Sequence, residues 1–219
     1  NKLGAGQLAP IFGDKMTGTE MMNSLGYRME DTGEANFGQA QKLQALNDAQ
    51  RQAISMLSND ALAHTQVRDD LDSGAEDADF GGHTYFALPA DGDGAEKLMN
   101  RVVKAYDNTN ERFIEMVNPS GFETTNKYNY GTLGTLLNNR LYVSTSDTEV
   151  DSVFMVHIPT PADIADNGTE ITHFSDSVQQ VIVELAEALL WRQDNRQNRA
   201  TAAANNAAAM IQVINAQGV

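Results

Sequence analysis

Leu133-Gly134-Thr135-Leu136-Leu137-Asn138-Asn139-Arg140-Leu141-Tyr142-Val143-Ser144 decides the fold class. Two strand-forming runs, Leu133 to Leu137 and Leu141 to Ser144, flank the turn residues Asn138, Asn139 and Arg140, and together they read as a β-hairpin. Downstream, Val153 to Ile158 is a β-branched strand ended by Pro159 and Pro161. Upstream, Arg112 to Val117 and the group Val102, Val103 and Tyr106 are strand-like, with Asp107-Asn108-Thr109-Asn110 as the turn between them. His83 to Leu88 is a further strand, stopped by Pro89 and the Asp91-Gly92-Asp93-Gly94 turn. Short strands with turn residues between them predict a small antiparallel sheet or sandwich.

The period changes on both sides of this region. Thr19 reads as the N-cap of a helix running to about Asp31, with Met21, Met22, Leu25 and Met29 on one face. After a break at Thr32-Gly33, a second helix is predicted from Phe37 to His64. Its stripe is Leu43, Leu46, Ala49, Ala53, Ile54 and Leu57. At the other end, Ser175 caps a helix carrying Val178, Val181, Ile182, Leu185 and Leu189, with the lone Trp191 near its end. A polar turn, Arg192 to Arg199, leads to an Ala-rich helix with Ala200, Ala204, Ala207, Ile211 and Ile214 in steps of three and four. The predicted class is α+β: a helical bundle from the N- and C-terminal helices with an inserted antiparallel β domain. The predicted division is an extended arm over 1–16, a discontinuous helical domain over 17–64 plus 173–216, and a β domain over 65–172.

Charge and composition narrow the functions. The 219 residues hold 30 Asp+Glu against 15 Lys+Arg, a formal charge of −15, which argues against a protein built to grip phosphate backbones. Asp69, Asp70, Asp72, Glu76, Asp77 and Asp79 crowd one stretch in which Arg68 is the nearby base, and mutual repulsion predicts a solvated loop there. No cysteine is present, so disulfides, thiolate nucleophiles and thiolate-bound zinc are excluded. No apolar run approaches the ~18–20 residues needed to span a bilayer. With Asn1 first and no signal-peptide pattern, the expectation is a soluble, acidic protein folded inside the cell, its initiator Met missing or removed.

Chemistry-bearing motifs are sparse. His64, His83, His157 and His173 share no ligand-like spacing. Asp91 to Gly94 looks superficially like a calcium loop, but Glu96 stands where an EF-hand needs Gly. Asn167-Gly168-Thr169 matches a glycosylation acceptor that carries no weight without a secretory signal. No phosphate cradle and no Gly-x-Ser-x-Gly elbow occurs. The acidic run supplies carboxylates for a hydrolase acting on cell-wall glycan, yet has no apolar neighbour before Phe80 to raise one carboxyl's pKa. No catalytic, cofactor or metal residue is assigned, and the expectation is a non-enzyme. A free binding module whose β domain holds a ligand is a further alternative.

Four segments in order carry a resemblance. They are Leu46-Asn47-Asp48-Ala49-Gln50-Arg51 on a helix, Tyr85-Phe86-Ala87-Leu88-Pro89-Ala90-Asp91 at the mouth of the β region, Val156-His157-Ile158-Pro159-Thr160-Pro161 after the hairpin, and the helix at Val181 to Ala186. Their order and spacing resemble the head-to-tail adaptor proteins of tailed bacteriophages, over about residues 17 to 215. The chain departs from that pattern in a longer acidic insertion at Asp69 to Asp79 and in lacking a Gly-x-Pro signal within Pro119 to Tyr130.

The resemblance implies a structural virion protein at the head–tail interface. It would form a homo-oligomeric, dodecameric ring below the portal protein, extend the DNA channel without specific DNA binding, and present the attachment surface for a tail or nozzle protein, with no membrane partner. Within the same class, a tail-completion or tail-tube protein is the alternative. On this reading Ala208, Ile211 and Ile214 pack against the portal, and Arg192, Arg196 and Arg199 pair with partner carboxylates. Leu8, Ile11 and Phe12 of the arm reach a neighbouring subunit or a tail component.

Overall fold

The computed structural model describes residues 15–31, 35–72, 74–78, 83–88, 99–125, 131–144, 150–168, 170–171 and 173–217. Residues 1–14 of the N-terminal arm, the Thr32-Gly33 break, Asp79 and the Pro89 to Gly94 turn lie outside them. The structure mixes helix and strand and forms two compact units, one from residues 1–64 with 161–219, the other from residues 65–160.

In the first unit, α1 (Gly18–Arg28) and α2 (Gln39–Met56) precede α4 (Asp176–Gln193) and α5 (Gln197–Gln217), with α3 falling in the other unit. The cap of α1 is Thr17 rather than Thr19. Its hydroxyl accepts from the Glu20 N–H at 3.1 Å while the Glu20 carboxylate accepts from the Thr17 N–H at 2.8 Å, a reciprocal capping box. Gly18 is required by a close approach, since a Cβ there would run into the Ala165 carbonyl. α2 ends at Met56, well short of His64. Asn215 of α5 closes that end, its amide oxygen accepting from the Ser58 N–H at 2.8 Å and its NH2 donating to the Met56 carbonyl at 3.2 Å.

Between α1 and α2, Asp31 is 2% exposed and accepts from the N–H groups of Asn36 (3.0 Å) and Phe37 (3.1 Å), with Lys42 Nζ at 3.2 Å. Burial pushes its carboxyl pKa up, but the two backbone donors and the Lys42 ammonium together outweigh that and hold it below the ordinary carboxylate value. Residues 161–168, which the sequence pattern grouped with the strands, bond to helices of this unit instead. Asn47 exchanges two hydrogen bonds with Ile164 (2.6 and 3.2 Å), Gln50 donates to the Ala162 carbonyl at 2.9 Å, and Arg51 meets Asp163 at 2.7 Å.

The second unit holds one eight-stranded sheet. Its strands are β1 (Val67–Asp72), β2 (Ala75–Asp77), β3 (His83–Ala87), β4 (Met99–Asp107), β5 (Arg112–Met116), β6 (Thr132–Leu137), β7 (Arg140–Ser144) and β8 (Ser152–Pro159), in the order β1-β8-β4-β5-β6-β7-β3-β2. All neighbours run antiparallel except β5 and β6, which pair in parallel from Ile114↔Thr132 to Met116↔Gly134. A short helix, α3 (Pro119–Thr125), supplies that crossover. β1 at one edge approaches β3 beside the other, so the sheet curls. Its concave face gathers Leu71, Phe86, Ala105, Ile114, Leu141, Val143, Val153 and Met155 into one core.

The hairpin forms with a tighter turn than expected, because Arg140 pairs with Leu137 and opens β7 instead of lying in the turn. Asn138 and Asn139 both take positive φ (49° and 58°), the two-residue turn whose twist matches paired strands, and Leu133↔Ser144 through Leu137↔Arg140 are in register. The acidic run departs from expectation: it is two edge strands, not a loop. Alternation explains this. Leu71 faces the core and Asp70 and Asp72 face water, while Asp69 reaches His157 Nε2 at 2.6 Å and Asp77 reaches Arg140 Nη1 at 3.0 Å. Charged edge strands also resist pairing with another sheet.

Candidate interaction surfaces

α4 is buried on most of its circumference, from Val178 through Trp191, because the other helices of its unit pack around it. It ends in a Schellman motif. Asn195 takes the left-handed conformation (φ 59°), the Arg196 N–H donates to the Trp191 carbonyl at 2.9 Å, and the Asn195 N–H donates to the Arg192 carbonyl at 3.1 Å. The Arg196 carbonyl then accepts from the Ala200 N–H at 3.0 Å, opening α5. The chain thus turns from one helix to the next in three residues, Asp194 to Arg196.

The three arginines named from the sequence meet at this corner, all exposed. Trp191 is 3% exposed and fixed by an Nε1–H bond to Glu187 at 3.1 Å. The guanidinium carbons of Arg196 and Arg199 lie 5.2 and 4.7 Å from its ring centroid. Arg196 also pairs with Asp194 at 2.6 Å. Arg192 and Arg199 contact no carboxylate among the described residues. Elsewhere in the unit Arg28 pairs with Glu184 and Glu187, Lys42 with Asp31, and Arg51 with Asp48 and Asp163. An open pocket of about 330 Å³ is lined by Asn195, Arg196, Gln197, Asn198 and Arg199.

α5 carries no charged residue from Ala200 to Gln217. Its inner face, Ala200, Ala203, Ala207 and Ile211, is buried within its own unit. Ile211 is therefore unavailable to a partner, contrary to its expected interface role, and Ala208 and Ile214 are half-buried. The face left outward is Ala202, Asn206, Ala209, Val213 and Ala216, with Val213 55% exposed. The sequence reading found the period and assigned its apolar side to a partner, although that side is the one the fold uses. The signal for the outer row was present in the uncharged run itself. Leu8, Ile11 and Phe12 lie outside the described residues.

In the second unit Asp69, Asp70, Asp77 and Asp107 are each engaged with a partner. Beyond the Asp69 contact with His157, which is fully buried, Asp70 pairs with Arg68 at 2.7 Å. Asp77 accepts from the Tyr142 hydroxyl at 2.7 Å, and this hydrogen bond, with burial, raises the Tyr142 pKa. Among the described residues no group of three or more His, Asp or Glu side chains is placed to hold a metal ion, and no helix is long and apolar enough to cross a membrane. No protein-family model matches the chain, and no curated protein matches it.

Proposed function

We propose that this chain is a structural protein of a tailed-phage virion. It is a ring-forming head-to-tail adaptor that docks below the portal, extends the DNA channel and presents the tail attachment surface. The observation that carries the reading is α5: a 21-residue helix, uncharged over its last 18 described residues in a chain of charge −15, whose inner face is already packed and whose outer face is an uncharged row of mostly small side chains, interrupted by Asn206. Such a face suits close helix packing against a second protein. The two-unit organisation agrees, with residues from both chain ends forming the helical unit and the strand unit drawn from between them. The acidic balance agrees with DNA passing nearby without being held.

A carboxylate-dependent hydrolase is the weaker reading, because Asp69, Asp70 and Asp77 are each tied to a partner of their own. Electron microscopy of the purified chain with and without portal protein tests the proposal, a ring on the portal being the expected result. Replacing Ala209 and Val213 together by Glu is expected to weaken portal binding at least about tenfold while leaving the helical circular-dichroism signal unchanged. Undiminished binding by that variant would remove α5 as the docking element.

A further inference from the structure

Three arginines against one aspartate are the only charged residues between Ala188 and Gln217, so the α4–α5 corner is locally positive in a strongly acidic chain. The excess of acid elsewhere makes a base without a carboxylate conspicuous, and two sit here, Arg192 and Arg199. Two of the three arginines are not loosely held: Arg199 and Arg196 rest on the anchored ring of Trp191, which lowers the entropy lost when a guanidinium binds. Asn195 and Asn198 add amide donors on the wall of the adjoining pocket.

The complementary chemistry is present on the second unit. Register brings together residues far apart in sequence. Asp72 stands opposite Ser152 and Asp107 opposite Val153, while the Asn108 N–H donates to the Ser152 carbonyl at 3.1 Å and the Asp151 N–H to Thr109 Oγ1 at 2.9 Å. These contacts place Asp72, Asp151 and Glu111, in the β4–β5 turn, along one end of the sheet, all exposed. None of the three carboxylates contacts a base among the described residues. Arg112, the base at that end, is 3.8 Å from buried Asp107.

We infer that the arginine corner of one copy docks on this acidic rim of a second copy, so that the corner serves the contact between copies and not the contact with the portal. The inference rests on the ring reading only in requiring more than one copy. Arginine meets carboxylates through paired N–H donors, giving both attraction and orientation. The two surfaces differ, so the contact is heterologous, and repetition of it closes a ring where the rotation permits.

The test mixes 14N- and 15N-labelled chains carrying Arg192→Lys and Arg199→Lys and couples amines to carboxylates with a zero-length carbodiimide. Peptides joining positions 192 or 199 to Asp72, Glu111 or Asp151 with mixed isotopes are the expected result. Joined peptides of a single isotope only, or none, overturn the inference. Sedimentation of unlabelled protein supplies the second arm. Arg192→Glu with Arg199→Glu, and separately Asp72→Arg with Asp151→Arg, are each expected to weaken self-association at low salt by more than about tenfold, and mixing the two variants to restore pairing. Self-association that neither reversal alters overturns the inference and leaves the ring reading standing on other contacts. A failure of the chain to form rings on portal protein is read separately, by microscopy.

Discussion

The convex face of the sheet differs between its two halves. On β6, β7 and β3, Leu133, Tyr142 and Tyr85 lie beneath Phe122 of α3, and Phe122 is fully buried, its ring edge-on to His83 at 4.9 Å. On β1, β8, β4 and β5 the same face carries a cross-strand row that α3 does not cover. There Arg68 sits 4.2 Å above Phe154, Phe154 stacks on Tyr106 at 5.1 Å, and Tyr106 meets Phe113 edge-on at 5.2 Å, with Phe113 67% exposed. Aromatic residues occupy both halves, but in one they form a second small core and in the other a surface ladder. What separates them is a seven-residue helix, not strand composition. Cross-strand aromatic pairs contribute locally wherever they occur, whereas burial under α3 makes the side chain part of global stability.

The largest expected effect is Phe122→Ala, at about 3–5 kcal/mol by denaturant unfolding, because it empties the space beneath α3. A cost as small as that of an exposed residue would erase the distinction between the halves. Next is Gly134→Val at the β5–β6 junction. A Cβ at that position would stand 2.6 Å from Ile114 Cγ2 and 3.1 Å from Met116 Sδ, so overpacking of about 1–3 kcal/mol is expected from the same measurement.

The Asp77–Tyr142 hydrogen bond on the covered half gives a pH signature. Because the Tyr142 pKa is raised in the folded chain, its contribution is complete below the ordinary value of 10.0 and is lost as pH rises through the folded value above it. Tyr142→Phe is expected to flatten the alkaline limb of the stability profile; an unchanged limb would detach the bond from stability. The smallest effect is Phe113→Ser on the open half, within about 0.5 kcal/mol. A cost near that of Phe122→Ala would mean that the ladder is as structural as the covered core.

Local signals in the sequence were strong where one residue type has one physical use. Asn138-Asn139 suits a turn with two positive φ values, and Thr17-x-x-Glu20 is a capping box, although the cap was read two residues late. The missed α3 also had a signal. Asn118 precedes Pro119, and its side-chain oxygen accepts from the Gly121 N–H at 2.6 Å, which is an N-cap followed by proline in the first turn. The edge strands of the acidic run were hidden for another reason. Clustered carboxylates predict a loop until their counter-charges are known, and Arg140 and His157 lie 63 and 88 residues away in sequence.

The candidate site divides in the same way. The three arginines were visible as a group, but nothing local showed that two would lack a carboxylate or that Trp191 would hold Arg196 and Arg199. The sequence alone determined the helical and alternating periods, the turns, the charge balance and the uncharged last helix, because these depend on neighbours within a few positions. Only the tertiary structure decided that Ile211 faces inward, that β5 and β6 run parallel, and that Asp72, Glu111 and Asp151 share one rim. Each of those depends on which distant segment lies alongside, and periodicity specifies a face without specifying what covers it.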